Sequence, residues 1–154
     1  MKYDEKVLAV VDSTESQLVD RTLEFVGNLR EFIERHRRQD QMIQESDWVE
    51  MTQAKDEPEK NRLWHKFTGS MSRQANERNA EYERRFRVDA IMLRDELRSR
   101  LPDYIPNGSH TDQMYEHPTN YFGFNDVADD LEHMAKLLKT DDYRVQPTPA
   151  RGSD

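Results

Sequence analysis

From about Glu5 to Glu45 the chain contains no proline and one glycine, and its apolar residues recur at spacings of three and four. Leu8, Glu15, Thr22, Leu29, His36 and Ile43 mark one heptad position, and Val11, Leu18, Phe25, Phe32 and Gln39 mark the next. Seven of these eleven are apolar, which is the signature of one buried helical face. Val19, Val26 and Ile33 add a third column, so the stripe has the width of a bundle helix and exceeds a two-stranded seam. The pattern predicts a helix over about 5–45. At Trp48, Val49 and Met51 the phase slips, which predicts a short helical turn over 47–54 and then a reversal.

Asp56, Pro58 and Glu59 read as a new helix start, with a capping carboxylate and acidic residues at the positive end of the helix dipole. A second long helix is predicted over about 57–100, closed by Leu101-Pro102. Its apolar residues step by eleven: Trp64, Ala75, Phe86 and Leu97 in one column, Met71, Tyr82 and Leu93 in another. Eleven residues in three turns suit a nearly straight helix. The middle of this segment is almost wholly polar, so the helix depends on its neighbours.

Residues 102–124 interrupt helix with Pro102, Pro106, Gly108, Pro118 and Gly123, and predict a long loop rich in aromatic side chains. A third helix is expected over 126–139. Asn125 would be its N-cap, Val127, Leu131, Met134 and Leu138 its apolar face, and Lys136 and Lys139 the cations near its negative end. The tail, residues 141–154, reads as disordered.

Composition limits how much of this can be core. Leu, Ile, Val and Phe number 30 of 154, just under the fifth below which a highly charged chain resembles a disordered one, so only periodicity supports a folded domain. The absence of cysteine removes disulfides, thiolate metal sites and cysteine nucleophiles, and fits a cytoplasmic protein. The N-terminal segment is too charged for a signal peptide, and no apolar run has the length of a membrane span. Sixteen arginines against seven lysines point to a GC-rich bacterial genome. The net charge of −8 is uneven: residues 61–101 carry +4 and lie between segments of −6 each. Docking of the basic segment against acidic helices of the same fold is the preferred reading, ahead of an acidic partner.

Chemistry-bearing residues are sparse. His110, Asp112, Glu116 and His117 share the long loop and have metal-ligand side chains, but their spacing fits no strong template. A ferritin-like carboxylate site needs two Glu-x-x-His pairs, and only Asp130-x-x-His133 is present. His36 falls on the apolar stripe, where an interface histidine is expected, with pH sensitivity a further possibility, and His65 is expected at the surface. There is no Gly-x-Ser-x-Gly turn or phosphate-binding glycine loop, and Asn107-Gly108-Ser109 is a glycosylation sequon only in a secreted chain. Arg35, Arg37 and Arg38, with Arg84, Arg85, Arg87, Arg94, Arg98 and Arg100, could follow a nucleic-acid groove. Interleaved Glu77, Glu81 and Glu83 and the net negative charge oppose this.

The expected fold is therefore all-α: a single domain over 1–140, made of an elongated antiparallel hairpin of two long helices with a short third helix, completing a four-helix or larger bundle on oligomerisation. The expected function is a non-enzymatic interaction or scaffold module without cofactor. Its partner is a second copy, a dimer being favoured, through Leu18, Phe25, Leu29 and Phe32. Packing of Tyr104, Tyr115, Tyr121, Phe122 and Phe124 against the hairpin end is the preferred role for the loop aromatics; the alternative makes Tyr115, His117, Tyr121 and Phe122 a surface for a further protein. Nucleic-acid binding through the second helix and a metal site at 110–117 are the alternative functions.

Overall fold

The structure, a computed structural model, describes residues 2–106 and 111–140, with side chains described for 14–106 and 112–140. Among the described residues there are five helices and no strand: α1 (Lys2–Thr52), α2 (Glu57–Arg85), α3 (Arg87–Arg100), α4 (Thr111–Glu116) and α5 (Tyr121–Thr140). No helix is long and apolar enough to cross a membrane among those residues.

α1 continues through the phase slip instead of ending near Glu45. Nothing between Asn28 and Glu57 forbids a helix, since neither proline nor glycine occurs there, and Trp48 and Val49 simply point outward. The turn comes at residues 53–56. Asp56 caps α2 by accepting a hydrogen bond from the Glu59 N–H at 2.9 Å, and the Glu59 carboxylate accepts one from the Lys55 N–H at 3.1 Å. The helix expected over 57–100 is divided at Phe86, whose φ of −123° departs from helical values. The hydrogen-bond ladder nevertheless passes through it, with the Phe86 N–H on the Tyr82 carbonyl and the Ala90 N–H on the Phe86 carbonyl, both at 2.8 Å. No proline or glycine lies there; the irregularity coincides with the Phe86 ring being held against Phe25 and Phe32 at 5.7 and 5.1 Å.

Cross-chain pairs give the relation of the two long segments. Glu50 pairs with Lys66, His36 with Glu81, Arg21 with Glu96 and Glu15 with Arg100, so partners recede along α2 and α3 as α1 advances. α5 lies along α1, with Tyr121 bonded to Asp40, and Asp129 and Glu132 bonded to Arg30. Its start differs from the expected Asn125 cap: the helix begins at Tyr121, and the Gly123 N–H bonds to Asn120 Oδ1 at 2.9 Å. Gly123, read as a breaker, is needed for packing, because a Cβ there would meet Pro118 Cβ at 3.1 Å. The long loop is shortened further by α4.

The core sits where α1, α2, α3 and α5 meet. Leu18, Val26, Leu29 and Phe32 from α1 are buried with Tyr82, Phe86 and Leu97, and with Phe124, Val127, Leu131 and Met134 from α5. Phe124 contacts Phe32 edge-on at 5.3 Å and Tyr82 at 5.2 Å, so one ring joins three helices. Thr22, a polar member of the stripe, is buried and returns its hydroxyl to the Leu18 carbonyl at 2.7 Å. Asp130 is also buried, and accepts hydrogen bonds from Tyr104 and, at 2.7 Å, from Tyr115; Tyr82 in turn donates to the Tyr115 carbonyl at 2.9 Å. These bonds fasten Tyr104 to α5, and Tyr115 to α2 and α5.

Tyr115→Phe is expected to lower unfolding free energy by about 1–3 kcal/mol in urea titration, since it takes one donor from a buried carboxylate. Gly27→Ala should raise it by about 0.5–1 kcal/mol, because the new Cβ meets nothing within 4 Å and the exposed helix loses its most flexible residue.

Candidate interaction surface

Beyond Phe32 the interior of the α1–α2 pair turns polar. Gln74 Nε2 lies 2.8 Å from His36 Nδ1 and 2.7 Å from Gln39 Oε1, so the amide N–H groups donate to both. This network assigns His36 Nδ1 as an acceptor and leaves Nε2–H to donate to Glu81 Oε1 at 3.0 Å. Arg35 and Arg85 donate to the same carboxylate. Burial by itself would raise the Glu81 carboxyl, but the hydrogen bonds from Arg35, His36 and Arg85 outweigh it and hold the group at about 2. His36 is buried and has both ring nitrogens engaged inside the fold. Its job is register: a polar layer that pairs only when α1 and α2 align at this level.

The arginines of α2 and α3 are engaged in the same way. Arg85 pairs with Glu81, Arg87 with Glu116, Arg94 with Asp95, Arg98 with Asp112 at 2.8 Å, and Arg100 approaches Glu15 at 4.0 Å. Of the six in this series only Arg84 has no ion pair among the described residues. Arg35 also faces Glu81, Arg37 lies over the Tyr121 ring at 5.3 Å, and Arg38 pairs with Glu34. The basic middle of the sequence is thus tied largely to carboxylates of its own fold.

Of the residues that suggested a metal, His110 lies outside the described residues. Asp112 is held by Arg98, whose hydrogen bond depresses its carboxyl below the usual range, and Glu116 is held by Arg87. His117 is exposed. No group of three or more His, Asp or Glu side chains that could hold a metal ion occurs among the described residues.

The other candidate residues are dispersed. Tyr115 is fully buried, Tyr121 is half-buried against Asp40, Arg37 and Arg78, and only His117 and Phe122 are exposed, the latter at 79%. Burial first, and then the hydrogen bond to Asp40, push the Tyr121 hydroxyl up to about 12. Leu18, Leu29 and Phe32 lie inside the core of one copy, and Phe25 is half-buried at its edge. An open cleft beside Phe32, about 660 Å³, is lined by Asn28, Glu31, Arg35, Arg38, Gln39 and Arg85.

The largest run of exposed apolar side chains was not singled out from the sequence. It lies at the far end of α1 and the beginning of α2, where Met42, Trp48, Val49 and Trp64 are all at least half exposed. Trp48 and Trp64 stand at 57% and 50%. The eleven-residue columns of α2 show why: Phe86 and Leu97, Tyr82 and Leu93 are buried, whereas Trp64, Met71 and Ala75 in the same columns are not. The columns run the whole length of α2 and α3, but α5 begins only at the level of Asp40 and Arg78. No protein-family model, curated protein or solved structure matches the chain.

The Glu81 network gives a pH prediction. A carboxyl held at about 2, against 4.5 for the ordinary group, stabilises the fold fully above pH 4.5 and loses that contribution as pH falls toward 2. Glu81→Gln should cost about 1–3 kcal/mol at pH 7 and flatten the loss of thermal stability between pH 4.5 and 2 relative to the parent chain. An identical pH profile would show that the carboxylate is not the titrating element.

Proposed function

We propose that this chain is a non-enzymatic helical interaction module that self-associates, the dimer being its principal state. In this reading α1 and the α2–α3 segment form an elongated antiparallel hairpin, and association completes a four-helix or larger bundle. The observation that carries it is the mismatch between the length of the apolar faces and the length of the third layer. α5 spans 20 residues against the 51 of α1, so apolar side chains at the end of the hairpin stand in water. Exposed apolar residues grouped on adjoining helix faces mark interaction surfaces, unlike the scattered ones that every soluble protein carries.

The engaged state of the polar groups supports the same reading. His36 is closed off by Gln74 and Glu81, and the carboxylates at Asp112 and Glu116 hold arginines. A nucleic-acid surface would leave guanidiniums facing outward, and here they face Glu81, Glu116 and Asp112. Leu18, Leu29 and Phe32 are occupied within one copy, so the association surface is sought among residues that remain exposed.

Absolute mass by light scattering tests this across a wide concentration range. The expected value rises to at least twice the 18.4 kDa of one chain at micromolar concentration. A monomer mass throughout would overturn self-association.

A further inference from the structure

Residues 40–54 of α1 and the following turn, with 57–74 of α2, form a projecting tip. Beyond the first turn of α2, which carries Glu57 and Glu59, the tip's charges are segregated. Between residues 40 and 54 the sequence has Asp40, Glu45, Asp47 and Glu50 and no base; between 60 and 74 it has Lys60, Arg62, Lys66 and Arg73 and no acid. The two helices make little use of this opposition within one copy. Lys66 bonds to Glu50 at 3.2 Å, but Lys60 turns to Glu57, Arg73 to Ser70, and Asp40 to Tyr121.

The tip also lacks a core. Leu63 is its only fully buried apolar side chain, while Met51, Phe67 and Met71 are half-buried and both tryptophans are exposed. Helical spacing shows which face is bare. Asp40 and Arg78 touch Tyr121 and so mark the α5 side of α1 and α2. Counting away from Asp40 in steps of three and four gives Gln44, Trp48 and Met51; counting back from Arg78 gives Gln74, Met71, Phe67 and Trp64. The aromatic faces of the tip therefore prolong the surface on which α5 packs, past the point where α5 begins.

We infer that this tip is the self-association surface, and that its occupant is the same tip of a second copy, whose two helices supply the layer that α5 leaves unfilled. The inference rests on the self-association reading and specifies its geometry. In a two-fold four-helix bundle each α1 adjoins two α2 helices, its own and the partner's, so acidic and basic helices alternate around the ring and no like-charged pair is adjacent. A second copy satisfies both demands at once, because it brings an acidic helix and a basic helix with matching aromatic faces. About 15 residues per helix, or ~22 Å, is four turns of contact. Trp48 and Trp64 are 57% and 50% exposed, which leaves about 130 Å² of each to bury, so the four in a pair supply ~500 Å² of the ~1,200 Å² at which specific interfaces begin, and Met51, Phe67, Met71 and the flanking side chains supply the rest.

The chain contains two tryptophans, Trp48 and Trp64, so its intrinsic emission reports on the tip alone. The test is a dilution series in which mass and tryptophan emission are followed together. The expected result is a blue-shifted emission in the dimer that moves red in step with the halving of mass. A mass that doubles with emission unchanged would overturn the tip as the interface and leave self-association standing through another surface; a monomer at every concentration would overturn both. Charge reversal gives a second, independent reading. Glu45→Lys/Glu50→Lys takes residues 40–54 from −4 to 0 and leaves 60–74 at +4, and Lys60→Glu/Lys66→Glu takes 60–74 from +4 to 0 and leaves 40–54 at −4, so only a mixed pair still sets an acidic helix against a basic one. Each variant alone should be monomeric with any loss of helicity confined to the tip, and an equimolar mixture should form a mixed dimer. Dimers of either variant alone, or a mixture that stays monomeric, would overturn the alternating-charge arrangement. The dilution series needs no substitution, so a variant that fails to fold does not blunt the test.

Discussion

Phe124 is the contact on which the architecture turns. Its ring meets Phe32 of α1 and Tyr82 of α2, with Arg78 above it at 5.5 Å, and so fixes where the third layer sits on the other two. In a chain with so few aliphatic residues a single buried aromatic carries a large share of the apolar burial at that point, about 1.5–3 kcal/mol for a phenylalanine removed from water. The consequences run outward from there. With Phe124 in place, α5 runs from the level of Asp40 back past Arg30, and the part of α1 beyond Asp40 is left without cover from α5.

The interior records that boundary. On the α5 side of it the buried side chains are Leu18, Val26, Leu29, Phe32, Leu97 and Leu131; on the other side they become His36, Gln74, Arg78 and Asp47, with Leu63 the one buried aliphatic residue beyond. A polar layer of this kind adds little net stability when it is satisfied, but misalignment of α1 against α2 would leave His36 and Gln74 without partners. The layer therefore holds the register of a helix pair that its apolar contacts specify poorly near the tip.

How much of this was legible in the sequence follows from which interactions are local. Helix type, the Asp56 cap and the α5 face Val127, Leu131, Met134 and Leu138 rest on spacing and capping rules that act within a few residues. Three features were set by tertiary context. The slip at Trp48 marks a change in what α1 faces, not an end to the helix, and periodicity alone does not separate the two. The start of α5 was displaced because Gly123 serves a close approach to Pro118, a contact from outside the helix. Tyr115 fits either a packed or an exposed ring by sequence, and its burial depends on Asp130, which lies 15 residues further along the chain. The tip was legible in principle: the separation of acids over 40–54 from bases over 60–74 is plain in the sequence. It was obscured by summing charge over whole thirds of the chain.

The same separation bears on why the tip persists as exposed helix at all. Two helices with one buried aliphatic side chain between them gain little from packing, and isolated helices of this length are marginal in water. Opposite charges on facing helices help, but exposed ion pairs contribute ~1 kcal/mol or less each. The helical state of residues 40–74 is then linked to whatever covers it, because any partner that binds the folded tip and not the frayed one adds its binding free energy to the stability of the helices. Folding at the tip and association become two aspects of one equilibrium, whereas the Phe124 core, complete within a single copy, is independent of it.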